Sequence, residues 1–452
     1  MRSISMFVIF FAAALLANAQ GGDFIFTHVN VIPMNKETVI LDQMVTVRNG
    51  RIQSIKPTTN KKISSDNTVI DCTGKFLMPG LAEMHAHIPP VNDLEPMKTV
   101  LKLFLANGVT TIRGMLGHPL HIELRDKVKN GSIMGPRIYT SGPSFSGKTV
   151  ASPEQGAAMV IQQKNLGYDF LKLHPGLSKE IFLAIAKTAR EQDIPFAGHV
   201  SADVGVWLAI NSGYASIDHM DGFIEALVKG LDHMKPETLG SFGMFIADIA
   251  DTSLIPKLMT ELKQHNTWVV PTEALARRWF SPLRTAEEFA ADPEMVYIDK
   301  KTLANWVQAK KNIEKDPFYD KQAVLAFIEL RKKLVNYMYA YGVNILLGSD
   351  APQVFDVPGF SVHQELKYYV ESGMTPYEAL RTGTYNVGRF LKRDDIGMIR
   401  TGARADLILL DENPLLSIDN TKKISGVMAE GHWYSKDFLA DQLDQIKRAN
   451  QQ

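Results

Sequence analysis

His85 and His87 stand one residue apart in "KFLMPGLAEMHAHIPP", shortly after a Pro-Gly pair. On an extended strand, residues i and i+2 face the same side, so both imidazoles can reach one divalent cation. Chance alone supplies roughly 0.3 such pairs in a chain of this histidine content, so the spacing needs partners from elsewhere before it counts as a site. Other short apolar runs supply them. "FLKLHPG" ends in Lys172 and His174, "FAGHVS" carries His199, "SIDHMDG" carries His219, and "ILLGSDAP" ends at Asp350. Each has a plain alternative: a hydrogen-bonded structural histidine, a snorkelling lysine, or an aspartate capping a helix. That many accidents at equivalent strand ends explain less than one shared site does. Imidazoles and a carboxylate suit Zn²⁺ or a related divalent ion, whereas an ammonium has no lone pair to offer. Burial depresses a lysine pKa and leaves a neutral amine. That amine can take up CO₂ as a carbamate, in effect a long carboxylate able to bridge two cations about 3.5–4 Å apart.

These side chains need strands to present them. Eight apolar candidates lie at 81–86, 109–113, 137–141, 170–174, 196–199, 216–219, 268–271 and 345–349, most of them separated by amphipathic stretches such as "SKEIFLAIAKTAREQ". Eight β/α units predict an α/β fold of the (β/α)8 TIM type, with the chemistry at the C-terminal ends of the strands. The connections 220–267 and 272–344 exceed one helix and predict extra helices over the mouth. Residues 23–78 read instead as short strands, with Asn49-Gly50 marking a hairpin whose type I′ turn needs positive φ twice. "ADLILLDENP" and "ISGVMAEGHWYS" return to that style near the C-terminus. The expected organisation is therefore a signal peptide over 1–19, a small composite β-sandwich from 20–79 and 398–452, and the barrel over 80–397.

The signal reading rests on Arg2, the apolar run 6–16 and the Ala17-Asn18-Ala19 cleavage pattern, which would make Gln20 the first mature residue. That run is too short to span a bilayer, which takes about 20 residues. The expected location is exported, periplasmic or secreted, with no membrane association after cleavage. Lys+Arg and Asp+Glu are both 49, so no global charge draws the chain to nucleic acid. Cys72 is the single cysteine, so no internal disulfide can form, and it reads as a small buried hydrophobe. The expected partner is a small-molecule substrate, with room for a homo-oligomer.

"DCTGKFLMPGLAEMHAH", "SIDHMDG", "LLGSDAP", "GMTPYEALRTGTYNVGRF" and "IGMIRTGARADLILLDENPL" together resemble the amidohydrolase superfamily. The branch they look like is that of imidazolonepropionase-like proteins and binuclear, prolidase-like Xaa-Pro dipeptidases. The resemblance implies two divalent ions, with zinc the expected metal. His85, His87 and Asp350 would hold the buried ion, His199 and His219 the more exposed one, and carboxylated Lys172 would bridge them. It implies hydrolysis of an amide in a dipeptide or N-acyl amino acid through a metal-bridging hydroxide, with Asp350 as the catalytic proton carrier. His174 and Arg113 are the candidate substrate contacts. The chain departs from the peptidase branch after Arg113, where Gly114 replaces an acidic neighbour, and near the third strand, where "SGPSFSGKTV" lacks a histidine. His118 or His121 are candidates to substitute there, although exposed helix positions are the simpler reading. His363 reads as a packing or loop residue. Trp279, Phe280, Phe318 and Tyr319 read as core before substrate wall.

Other functions fit less well. Superfamily deaminases generally carry an acid a few residues after the fifth-strand histidine, and "HVSADVG" has no Glu there. Cyclic amidases typically leave Lys172 without a role. A lactonase or phosphotriesterase-like enzyme would use the same site and is the runner-up. A metal-dependent binding protein would have no use for Asp350 as a proton carrier.

Overall fold

The computed structural model describes residues 20–59 and 67–451, so the expected signal peptide lies outside the described residues. Three parallel strands, Leu81–Ala86, Val109–Gly114 and Arg137–Thr140, form one sheet. Four more, Leu171–Leu173, Phe196–Gly198, Ser216–Asp218 and Trp268–Val270, form a second. Most positions on these seven strands are buried, and the first two are buried throughout, as expected for parallel strands covered on both faces. Parallel bridges Ser141–Phe170 and Phe145–Leu173 link the two sheets.

The eighth expected strand differs. Residues 345–349 make one bridge, Val269–Ile345, and no continuous ladder. They nevertheless bond on both sides: Leu346 N–H donates to Val269 O, and Met84 N–H donates to Leu347 O. Gly348 lets this segment pass close to the first strand, since a Cβ there would lie 2.9 Å from His85 N and 2.5 Å from Val270 Cγ1. A bulkier and more regular strand would not fit that gap.

Strands from both chain ends join in a single nine-stranded sheet. Leu407–Leu410 pairs antiparallel with Phe76–Pro79, and Ile424–Ala429 and His432–Ser435 extend it. Ile40–Arg48 and Arg51–Pro57 form the expected hairpin, with Asn49 and Gly50 both at positive φ (49° and 66°). Alternate residues such as Phe24, Phe26, Val45, Val47, Leu407 and Leu409 bury together, and Trp433 meets the Phe26 ring edge-on at 5.3 Å. Cys72 lies in this core, and burial pushes its thiol up to about 12.

Both long connections carry extra helices. The stretch 220–267 contains a series of 3₁₀ turns before helix Ile255–Gln264. The stretch 272–344 contains a π-helical turn at Ala276–Phe280 and helices Lys300–Ile313 and Lys321–Tyr341. No helix among the described residues is long and apolar enough to cross a membrane.

Candidate active site

The strand ends converge as the sequence spacing requires. A row of imidazoles runs His174–His199–His219–His85–His87, with neighbouring ring centroids 5.0, 4.5, 4.5 and 5.4 Å apart. Asp350 closes the row: its Oδ1 lies 2.6 Å from His87 Nε2 and 3.4 Å from His85 Nε2, and its Oδ2 lies 3.7 Å from His219 Nδ1. Lys172 is fully buried, its Nζ 3.5 Å from His85 Nε2 and 4.0 Å from Asp218 Oδ2. Four expected histidine ligands, the lysine and the aspartate thus meet in one place, and His174 adds a partly exposed ring at the rim.

Burial governs the electrostatics. It holds His85 and His219 well below the usual imidazole range, with the neighbouring cationic and imidazole groups adding to the effect. His199 falls to about 3 for the same first reason. Lys172 drops to about 8 by burial, against the pull of Asp218 and Asp350. Neutral imidazoles and a lysine with an accessible neutral amine are the protonation states that metal ligation and carbamate formation need.

The donor set fits a divalent cation on geometry as well. Ligand atoms of His85, His219 and Asp350 all lie within 4.8 Å of one another. Asp350 Oδ1 is buried and makes no hydrogen bond despite its closeness to two ring nitrogens. A buried carboxylate oxygen left without a hydrogen-bond partner costs several kcal/mol or so, and a shared cation removes that cost.

Three residues that sequence reasoning passed over stand against the ring nitrogens, and a fourth ties the backbone of the first strand. His85 Nδ1 faces Asp218 Oδ2 at 3.0 Å, and Asp218 is gripped by Ser216 and Arg113. His199 Nδ1 pairs with Asp221 at 3.0 Å, and His219 Nδ1 with Thr272 Oγ1 at 3.0 Å. The carboxylate of Glu83 accepts from His85 N–H and from the N–H and hydroxyl of Ser349, tying the first strand to the residue before Asp350. Asp218 and Asp221 flank His219 in "SIDHMDG"; an acid beside a candidate ligand was the available signal. Arg331, on helix Lys321–Tyr341, donates to His219 O and Pro271 O and pairs with Glu273. The long connection 272–344 therefore braces the site from behind.

Arg113 is not where a substrate contact should be. It is 1 % exposed, and its donors are spent on Met84 O, Ser216 Oγ and Asp218 Oδ1. It faces inward from a strand buried on both sides, so it orients His85 through Asp218. His121 is likewise buried rather than exposed, its Nε2 against Pro89 O, because its helix turns that face onto the loop after the first strand. His118 is partly exposed, and His363 is buried against Thr421.

Backbone strain gathers at the same spot. His219, Met220, Thr272 and Asp350 all carry positive φ, at 64°, 54°, 54° and 72°. Each costs on the order of 1–3 kcal/mol and persists only where the surroundings enforce it, as at functional sites.

Relatives share this arrangement of chain. A family model described as the amidohydrolase family matches residues 76–434. Ochratoxinase of Aspergillus niger is 24% identical over 371 residues, which cover 76% of this chain and 71% of that protein. A crystal structure of a Xaa-Pro dipeptidase with bound methionine in the active site superposes with a TM-score of 0.67 at 19% identity, covering 92% of this chain and 100% of that one. The bottromycin amidohydrolase structure superposes with a TM-score of 0.71 at 18% identity, covering 94% of this chain and 90% of that one. These structures share the α/β fold, and a family match that runs from the last N-terminal sheet strand, through every histidine of the row, into the C-terminal sheet makes this chain a hydrolase of the amidohydrolase family.

Proposed function

We propose that the protein is an exported, metal-dependent hydrolase that cleaves an amide bond in a small substrate, a dipeptide or an N-acyl amino acid. The observation that carries this reading is the convergence of four histidines, a buried lysine and an aspartate on one strand-end rim. The closed (β/α)8 barrel belongs to the same reading and is supported by the bonds of residues 346 and 347 to both neighbouring strands. The two-ended sheet then serves as the composite sandwich, and cleavage after Ala19 delivers the mature chain for export.

His85, His87 and Asp350 would hold one ion, His199 and His219 a second, with Lys172 as its carbamate between them. Two such ions, zinc being our choice, would supply Lewis acidity toward the scissile carbonyl and would lower the pKa of the attacking water toward about 7. The chain's own residues do the rest. Asp350 takes the proton of the attacking water and returns it to the leaving amine, a general acid–base contribution of about 10²–10⁴-fold. Asp221 and Thr272 fix which ring nitrogen of His199 and His219 turns inward, and the Asp218 carboxylate faces the Nδ1 edge of His85. His174, at the rim beside His199, is placed to orient the substrate.

Mass-spectrometric screening of the metal-loaded protein against dipeptides, N-acyl amino acids and lactones tests the proposal. Release of amino acids, abolished by Asp350→Asn, is the expected result. Lactone opening with amides untouched would overturn the amide assignment and leave the site to the runner-up chemistry.

A further inference from the structure

One face of this site is apolar. The ring of Phe242 lies 6.0 Å from the His199 ring at an interplanar angle of 12°, and 5.2 Å from His219 at 33°. It comes from the 3₁₀ turn Ser241–Gly243 in the connection 220–267, well away in sequence from any strand end. Its backbone is left-handed, φ 58° and ψ 28°, a conformation that a bulky aromatic residue rarely adopts. Gly240 and Gly243, also at positive φ, bracket it. A Cβ at Gly240 would meet Phe245 at 2.7 Å, and one at Gly243 would meet Ile224 at 3.0 Å, so the turn is drawn tightly against its support.

A second unusual element backs the ring from behind. Phe280 stands 6.0 Å from Phe242 and stacks on Trp279 at 5.1 Å. Both belong to the π-helical turn Ala276–Phe280, and π turns concentrate at functional sites. Buried Lys310 locks the region by donating to the carbonyls of Arg278, Trp279 and Ser281. Phe280 is buried, whereas Phe242 keeps partial exposure beside the partly exposed rings of His199 and His174. An aromatic face held in a strained backbone, next to the reacting groups and supported by a rigid cluster, is preorganised to receive a flat apolar group.

We propose that Phe242 is the specificity-determining wall of the site and selects substrates with an aromatic side chain next to the scissile amide. The proposal rests on the amide-hydrolase reading. N-acetylphenylalanine and N-acetylalanine form a matched pair for the test, assayed with wild type, Phe242→Ala and Phe242→Leu. Wild type should favour the aromatic substrate, and Phe242→Ala should cut the ratio of kcat/KM values roughly tenfold, about what one aromatic face contact supplies. The loss should appear mainly in KM, and Phe242→Leu, apolar but not flat, should fall between. An unchanged ratio, or an equal fall for both substrates, overturns the proposal. Calorimetric binding of phenylalanine and alanine to the metal-loaded protein separates this outcome from failure of the amide reading. If wild type cleaves neither amide, the amide reading fails. The wall still stands if phenylalanine binds more tightly than alanine and Phe242→Ala erases that difference, and it falls if the two amino acids bind wild type alike.

Discussion

Gly198 is the position where one added carbon should disturb the site most. It ends the Phe196–Gly198 strand at φ 125°, one residue before His199. A Cβ there would lie 2.4 Å from Leu173 O and 2.8 Å from Lys172 Cδ, against ordinary carbon contacts of about 3.5–4.0 Å. The carbonyl belongs to the neighbouring strand, where Leu173 is in register with Gly198, so it cannot retreat without breaking the ladder. The lysine stem can move only by swinging Nζ away from His85. Forcing an L-residue into this conformation costs about 1–3 kcal/mol, and overpacking adds about 1–3 kcal/mol. Gly198→Ala should therefore lose about 2–6 kcal/mol, less than the stability of most folded domains. Thermal unfolding should drop by roughly 2–6 °C, at about 1 °C per kcal/mol for a chain of this length. Metal content, read by elemental analysis, should fall with it. Gly167→Ala is the matched control, because Gly167 has φ 81° with nothing within 4 Å of an added Cβ. It should show the conformational cost alone, about 1–2 kcal/mol, with metal retained. A Gly198→Ala protein as stable and as metal-replete as wild type would refute the packing argument.

Asp218→Asn keeps the shape but removes the charge that faces His85, Arg113 and Lys172; metal affinity measured by chelator competition should fall about 10–100-fold, and unchanged affinity would contradict its orienting role. Lys310→Met leaves the carbonyls of Arg278, Trp279 and Ser281 without their donor and should cost about 2–4 kcal/mol in unfolding experiments. Asp395 accepts from Arg393, Arg404 and Arg51, and the Arg393 fork, helped by Arg404 and opposed by burial, holds its carboxyl well below the usual range. Its folded pKa lies below its unfolded one, so its contribution is complete above about pH 4 and disappears as pH falls through the folded value. Asp395→Asn should thus cost about 2 kcal/mol near neutrality, with the gap to wild type closing below about pH 4; a gap independent of acid would show that the ion pairs add nothing.

Much of this site was legible because strand ends and chemistry coincide. His85, His87, Lys172, His199, His219 and Asp350 each follow a short apolar run, and buried parallel strands announce themselves by those runs alone. The hairpin at Asn49-Gly50 was equally plain, since two positive φ values have few residue solutions. The 345–349 segment was visible as apolar but not as irregular, because Gly348 yields to contacts from Val270 and His85 that are remote in sequence. Arg113 misled for a related reason: an arginine at a strand end looks like a substrate contact until Asp218 and Ser216 are seen to consume it. Phe242 carried no periodic signal at all. Its place beside His199 depends on two glycine turns and on a π turn dozens of residues away, which local pattern cannot report.

The central claim is that this rim holds two metal ions with Lys172 between them. Counting ions per chain by inductively coupled plasma mass spectrometry, in wild type and in Lys172→Ala, tests it most directly. Two divalent ions per wild-type chain, with most of the metal and the activity lost in Lys172→Ala, is the predicted result. Full occupancy in Lys172→Ala would contradict the bridging role, and a wild type that binds no divalent ion would contradict the account as a whole.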